Sequence, residues 1–475
     1  MSRGGVERRG VVVTGMGAIT PSGLSVRETW DAVVAGRSAI DVLDGEEFAD
    51  LPVQIGAQVR GFDPTAVVPK SLARRLSAVQ TWAIAAADEA LRQAGLLADG
   101  TTAPTQGRAD TGTEDVPPTG TTASPQAPAV ALPWDAHRFG IIAASGSGPV
   151  AAMQDATRAL LADGPRGVPL TLAIYGAPDA AAALLSQRYA ATGPAQGVNA
   201  TCASGAVGLG EALRRIRHGY ADAVLVVGME DCLNPVNLAS NTNMRALAAG
   251  YEDEPSAASR PFDADRAGFV MAAGASAILL ESADAARARG AAVFAELAGA
   301  GAASDAHHPT APHPEGRGAA QAMRDCLADA GLGPEAVDHI NAHGTGTPQG
   351  DAAEIRAIDA VFGARARQVP ITATKSSTGH LLGCGGVTEA ILAVRTLGTG
   401  LIPPTLNLDE PAFPDHDIVS GAAREAEVSA VLSNSFGFGG HNAAVLLRRP
   451  EWPGSTPGAR TRRSRPDHLP EKETP

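Results

Sequence analysis

The stretch Val198–Val227, VNATCASGAVGLGEALRRIRHGYADAVLVV, decides the architecture. A short run ending at Val198 turns through Asn199-Ala200-Thr201-Cys202 into a segment with apolar residues at helical spacing (Val207, Leu209, Leu213, Ile216). That segment closes on Arg214, Arg215, Arg217 and His218 followed by Gly219, cations in the last turn and glycine just beyond it, which is how helices stop. A continuous apolar run, Ala221–Val227, then reads as a buried strand. Strand, helix, strand is the unit of a layered α/β fold with largely parallel, fully covered strands.

The same rhythm runs outward in both directions. Val11–Thr14 leads into Gly15-Met16-Gly17, a helix is predicted over Ser71–Ala94, and Phe139–Ala143 is a strand opening a Gly/Ser loop. Ala275–Leu280 and Val293–Leu297 are further strands, the second followed by a helix over Ala319–Ala330 and a strand at His339–Ala342. The rhythm divides the chain into two similar halves joined near residue 290, residues 1–290 and 291–450. Thr101–Pro133, rich in Thr, Pro, Gly and Ala and without either period, is expected to be a mobile surface insertion. Residues 451–475 are expected to be a disordered tail.

Composition narrows the function classes. With 38 Lys and Arg against 51 Asp and Glu, the chain carries −13, which disfavours nucleic acid as a partner. The four cysteines are widely spaced with no CxxC pair, which argues against a zinc site or a disulfide framework and suits a reducing cytoplasm. Gly, Asp or Arg interrupts every long apolar run, so no membrane span is expected.

Cys202 sits where a strand turns into a helix, among small neighbours (Ala200, Ala203, Ser204, Gly205) that leave room for a substrate. Unpaired amides and the positive helix end would favour thiolate there. A free cysteine is more often a buried structural residue, and that reading is kept for Cys232, Cys326 and Cys384. His343 ends a strand ahead of the loop Gly344–Gly350, and Asp351 and Glu354 then form a D-x-x-E helix start. The pattern recurs at Pro370–His380, where a strand leads into a polar loop with Lys375 and His380 ahead of a helix over about 383–397. A third loop, Asn434–Asn442, separates two further strands. Each loop has an ordinary explanation as a Gly/Thr turn, and GTGT and GFGG invite a nucleotide-binding reading. Gly15-Met16-Gly17 lacks the third glycine of a dinucleotide fingerprint, however, and no GxxxxGK[ST] occurs. One cysteine, two histidines and one lysine, each at a strand end, match what carbon–carbon bond formation on a thioester needs: a sulfur to hold an acyl group, oxyanion donors, and neutral imidazoles for an enolate.

On VVVTGMGAITPSG, ATCASG, RPFDADRAGFV, NAHGTGTPQGD, TKSSTGHLLG and NSFGFGGHN, taken in order, the chain resembles the β-ketoacyl-[acyl-carrier-protein] synthases, particularly the synthase II type and the ketosynthase subunits of type II polyketide systems. The likeness spans roughly 9 to 449. It implies a thiolase-like fold of two duplicated halves in a five-layered αβαβα arrangement, working as a homodimer or as a heterodimer with a chain-length-factor-like subunit. It implies Cys202 as nucleophile, His343, His380 and Lys375 as the other catalytic residues, and Glu389 as a buried support. The oxyanion hole would come from the amides of Cys202 and Phe438, with Phe438 also a gate and Phe436 beside it. Thr345 and Thr347 would meet the phosphopantetheine arm of the acyl carrier protein, the expected partner.

Malonyl decarboxylation supplies the carbanion, so the resemblance implies no resident cofactor and no metal. Pro149, where a bulky aliphatic often lines the acyl pocket, departs from the housekeeping pattern, as do Asn199 and Ala272-Ala273-Gly274. These departures lean toward a specialised polyketide or polyene pathway. Two other classes compete: a non-catalytic chain-length-factor-like partner, which would lack the nucleophile, and a thiolase-type acyltransferase or cysteine hydrolase. A thiolase usually carries a second cysteine in the last loop, where this chain has His441.

Overall fold

The computed structural model describes residues 8–98 and 130–450. Most of the expected insertion, and all of the expected tail, lie outside them. The N-terminal half contributes β1 (Val11–Ile19), α1 (Ala78–Gln93), β2 (Phe139–Ala144), α2 (Ala180–Tyr189), β3 (Ala195–Val198), α3 (Ser204–Arg217), β4 (Ala223–Glu230) and β5 (Gly274–Ser282). The C-terminal half contributes β6 (Ala295–Ser304), α4 (Arg317–Ala330), β7 (His339–Asn341), α5 (Pro348–Phe362), β8 (Ile371–Thr372), α6 (Gly385–Thr399), β9 (Ala430–Gly437) and β10 (His441–Arg448). Hydrogen bonding runs in the order β8-β7-β9-β10-β6-β1-β5-β4-β2-β3.

That order is the same five-strand pattern written twice and joined at β1 and β6 through Val12↔Glu296 and Val13↔Ala295. In each half the first and last strands pair antiparallel, the last and fourth pair antiparallel, and the second strand lies parallel between the fourth and third. The chain therefore has the thiolase-like α/β fold of two duplicated halves.

Side-chain alternation along the strands builds the layers. Ile142, Val224, Val226, Ile278 and Leu280 point inward and, with Leu297, Val431, Ala443, Val445 and Leu447 of the other half, enclose α3 and α6 in one core. Ile141, Ala223, Leu225, Val227 and Leu279 point the other way onto α1 and α2. Ile340, Ala430, Leu432, Ala444 and Leu446 do the same onto α4 and α5. Helices, sheet, paired central helices, sheet and helices give five layers.

Where the elements differ from the sequence expectation, the cause is local. β1 does not end at Gly15-Met16-Gly17 but runs through it to Ile19, with a bulge between Val13 and Gly15 that exchanges the faces. Its glycines are there because α1 packs directly on them: a Cβ at Gly15 or Gly17 would overlap the carbonyl oxygens of Ala90 and Ala86. β6 repeats the device, with Gly299 and Gly301 under the carbonyls of Cys326 and Ala322 of α4. The helix expected over Ser71–Ala94 is two, Lys70–Ala73 and α1, because Ser77 starts a new helix, its amide donating to Gln80 Oε1 at 3.1 Å. β9 extends to Gly437, which shortens the expected Asn434–Asn442 loop to the three residues Phe438–Gly440.

Candidate active site

The cysteine turn is held from both halves. After β3, Thr201 takes a left-handed conformation (φ 50°), and its hydroxyl donates to the carbonyls of Ala200 and Phe438 at 2.8 Å each. Ser204, opening α3, accepts from the Ala200 amide (2.8 Å) and donates to the carbonyls of Ser145 and Thr201 (3.1 and 2.6 Å). Cys202 is thereby fixed at the start of α3, 8% exposed.

His343 lies two residues past the end of β7. Its amide and that of Gly344 donate to the two oxygens of Glu354, each at 2.8 Å, and Asn434 Nδ2 adds a third bond to that carboxylate at 3.1 Å. Glu354 comes from α5, whose start is capped by Thr347 Oγ1 accepting from the Gly350 amide. Asp351 holds the rest of the loop, accepting from the amides of Gly346 (3.1 Å) and Phe262 (2.8 Å). His380 is bound into a bridge on the other side, its amide donating to Val270 O at 2.7 Å and its carbonyl accepting from Ala272 at 3.0 Å.

The two imidazoles lie 5.3 Å apart, ring centre to ring centre, nearly perpendicular. Phe269 stands edge-on to His380 at 5.3 Å, and Phe436 lies 5.7 Å from His343. Cys202, His343, His380, Thr345, Thr347, Phe436 and Phe438 all line one cavity of about 350 Å³. Lys375 and Glu389, a fully buried ion pair between the segment before His380 and α6, stand behind it. Pro149 does not line this cavity. It opens the helix Val150–Asp163 beyond the Ser145–Gly148 loop and faces a separate cavity of about 30 Å³.

Burial dominates the electrostatics. It holds His343 and His380 well below the usual imidazole range, and the Lys375 charge adds to it in both, so the rings stay neutral at physiological pH. Burial pushes Glu389 up to about 7 against the pull of Lys375. At Cys202 the expectation of a favoured thiolate is overturned. Burial raises the thiol to about 12, outweighing the Lys375 charge and the amides of Phe438 and Cys202, while Glu230 pushes the same way as burial.

Two groups carry more than the sequence reading assigned them. Glu354 does more than open a helix: it is 2% exposed and clamps the His343 loop. Phe269, within the RPFDADRAGFV motif, forms the wall against both His380 and Phe438. The signal for Glu354 was its place in the first turns of the helix that the His343 loop enters, where a carboxylate can turn back onto that loop.

Known proteins resemble this chain in sequence and in fold. Residues 8–114 and 127–286 match the family model for the N-terminal domain of β-ketoacyl synthases, and residues 294–409 match that for the C-terminal domain. The 3-oxoacyl-[acyl-carrier-protein] synthase 2 of Coxiella burnetii is 35% identical over 94% of this chain and 99% of its own. The ishigamide ketosynthase/chain length factor superimposes with a TM-score of 0.78 at 30% identity, covering 93% of this chain and 100% of that one. A type II polyketide ketosynthase, solved with its acyl-carrier protein and bound to the hexaketide, gives 0.78 at 27% identity, covering 94% and 100%.

Proposed function

The chain belongs to the β-ketoacyl synthase family, with the acyltransferase activity of a 3-oxoacyl-[acyl-carrier-protein] synthase, and from that premise we propose how its cavity performs the condensation. Cys202 attacks the thioester of an acyl-carrier protein. A carbon–sulfur bond forms to Cys202, the bond to the phosphopantetheine sulfur breaks, and the thiol proton passes to the departing sulfur. Because burial holds Cys202 as a thiol, that proton leaves during attack, and the neutral imidazoles of the same cavity are the acceptors within the site that can relay it.

Malonyl-carrier then enters, with its pantetheine arm against Thr345 and Thr347. His343 and His380 each donate an N–H to the malonyl thioester oxygen. The bond to the carboxylate breaks, CO₂ leaves, and the electron pair becomes an enolate held by the two rings. The enolate carbon attacks the acyl carbon on Cys202, whose oxygen is received by the amides of Cys202 and Phe438. The carbon–sulfur bond to Cys202 breaks, the sulfur takes up a proton from solvent to restore the thiol, and the β-ketoacyl chain departs on its carrier. Lys375, paired with Glu389, adds its charge to the burial that keeps both rings uncharged. Phe436 and Phe438 shape the space around the reacting carbons. Decarboxylation generates the nucleophile, so the chemistry calls for no resident metal or redox cofactor.

The partner follows from the same chemistry: a carrier protein bearing phosphopantetheine, within a dissociated fatty-acid or polyketide assembly line. A second subunit of the same fold, either another copy or a chain-length-factor-like chain, fits the outer edge of β3, which is partly open, and the exposed Leu161, Leu170 and Ile174. No helix among the described residues is long and apolar enough to cross a membrane, and the proposed compartment is the cytoplasm.

The observation that carries this reading is the meeting of an unpaired cysteine and two uncharged imidazoles on one cavity. Purified protein given acyl-carrier and malonyl-carrier should release CO₂ and β-ketoacyl-carrier. Cys202→Ala should lower elongation by more than about 10³-fold. Elongation by that variant at the wild-type rate would remove Cys202 from the mechanism.

A further inference from the structure

Glu230 ends β4, is 1% exposed, and has no part in the mechanism above. Its oxygens are nonetheless the most heavily bonded carboxylate oxygens near Cys202. Oε2 accepts from the amides of Gly146 (2.7 Å) and Gly383 (2.9 Å), and Oε1 accepts from the Ser147 amide (3.2 Å) and the Ser147 hydroxyl. Gly146 and Ser147 belong to the loop after β2 in one half. Gly383 belongs to the turn between His380 and α6 in the other.

These segments meet behind the cysteine turn with no spare volume. A Cβ at Gly146 would sit 2.8 Å from Glu230 Oε2, 3.0 Å from the Gly383 nitrogen and 3.0 Å from Thr201 O, and a Cβ at Gly383 would overlap the Gly146 nitrogen. The duplication gives this contact a counterpart. Glu230 pairs with Gly274 at the end of β4–β5 as Gly437 pairs with His441 at the end of β9–β10. Gly437 lies against Thr201 and Cys202, and the next residue is Phe438. In one half the strand end serves the nucleophile. In the other it carries a carboxylate onto the turn beyond His380.

We infer that Glu230 is a positioning residue for the condensation, its carboxylate locking the Gly146–Ser147 loop to the Gly383 turn so that the Cys202 turn and the His380 loop keep their mutual distance. The inference rests on the reading of Cys202 as the acyl-bearing nucleophile. A merely structural bond set would leave the reactivity of the thiol alone. This one should not, because the Glu230 charge opposes ionisation of Cys202 while Lys375 favours it. The other groups around these two residues are His343 and His380 across the cavity, and Asp231, Cys232 and Cys384 near Glu230.

The test compares Glu230→Gln, Glu230→Asp and Ser147→Ala by two readouts: kcat and KM for condensation, and the pH dependence of Cys202 alkylation by iodoacetamide, read by mass spectrometry. Glu230→Gln should lower kcat by about 10²-fold with little change in KM, since displacement of reacting groups by an ångström costs that much. It should also speed alkylation at pH 8 several-fold by removing the opposing charge. Glu230→Asp keeps the charge but shortens the reach, so kcat should fall while the alkylation profile stays in place. Ser147→Ala, losing one of the four bonds, should fall between wild type and Glu230→Asp. Wild-type kcat in Glu230→Gln, or in Glu230→Asp should the Gln variant not fold, would overturn the inference. So would kcat losses that track thermal stability alone with an unshifted alkylation profile in Glu230→Gln. If Cys202→Ala itself elongated, the reading of the nucleophile would fall instead.

Discussion

Strands β2 and β7 occupy the same place in the two halves and are made of opposite materials. Counted from the strands they pair with, Gly140 and Ile142 stand where His339 and Asn341 stand, and Ala144 one step further stands where His343 does. The outward positions barely differ: Ile141 and Ala143 in β2 match Ile340 and Ala342, and all are fully buried. The inward row is hydrocarbon or hydrogen in the first half and imidazole, amide, imidazole in the second. Duplication supplied a scaffold twice, and each copy then gave a different part to the shared cavity. The first half brings the sulfur on the turn before α3. The second brings the imidazoles, at a cost visible in the polar row, where both ring nitrogens of His339 and Asn341 Oδ1 are buried without a hydrogen-bond partner.

If the asymmetry is chemical, the largest effect belongs to the end of that row. His343→Ala should reduce malonyl-carrier decarboxylation by about 10² to 10⁴-fold, the range for losing a positioned proton donor, with thermal stability near wild type. Released CO₂, measured without any acyl primer, isolates this step from loading at Cys202. Undiminished release would place the enolate stabiliser elsewhere. The converse change comes next in size. Ile142→Asn writes the β7 residue into β2, where the side chain belongs to an apolar cluster with Val224, Val226, Leu209 and Ile278. It should destabilise by about 3 to 5 kcal/mol through lost packing and an unpaired amide, read as a shift in the urea midpoint. A near-neutral result would mean that the inner face of the first half tolerates polar groups, and the contrast between the strands would lose its energetic content.

The sequence made one side of this contrast legible and hid the other. The motif ends, Cys202, His343, Lys375 and His380, stand out because chemistry-bearing residues at strand ends beside glycines are rare combinations, and the cavity does gather Cys202 with both histidines. The duplication did not show as residue identity. It survives as geometry, in the paired glycines 15/17 and 299/301, whose spacing means something only once α1 and α4 are seen lying on them. The thiolate expectation failed for a related reason. Helix-end amides and a nearby lysine can be read along the chain, but the desolvation that outweighs them is produced by both halves closing over Cys202. The clamping roles of Glu354 and Glu230 carry no comparable mark, because most of their partners are backbone amides, which have no side-chain signature.

His339 sharpens the comparison through pH. Folded, it stays neutral down to about pH 3 because burial alone disfavours its charge. Unfolded, it takes up a proton below about pH 6.5, so between those values the unfolded chain binds more protons and the folded state loses stability as pH falls through 6.5. His339→Leu removes that loss. By pH 5 the wild type should have given up about 2 kcal/mol that the variant keeps, so the difference between the two unfolding free energies should shift by that amount from pH 8 to pH 5. A difference constant across that range would mean His339 reaches a proton acceptor when charged.

The smallest effect concerns the one bond found within the polar row. Asn341 Nδ2 donates to Ser433 Oγ at 3.4 Å, a long contact, and the corresponding pair in the first half is Ile142 and Val226. Ser433→Val alone leaves the amide without its acceptor and should cost about 1 to 2 kcal/mol. Asn341→Ile alone leaves a hydroxyl that can turn to another acceptor, so its cost should be smaller. Together the two changes rewrite β7 and β9 in the apolar pattern of β2 and β4, and the double variant should be more stable than the sum of the singles by about 1 kcal/mol. A coupling of zero would show that the long contact contributes nothing. The polar row would then owe its amide to the reaction at His343 rather than to the strand, and condensation by Asn341→Ile should fall even as its stability holds.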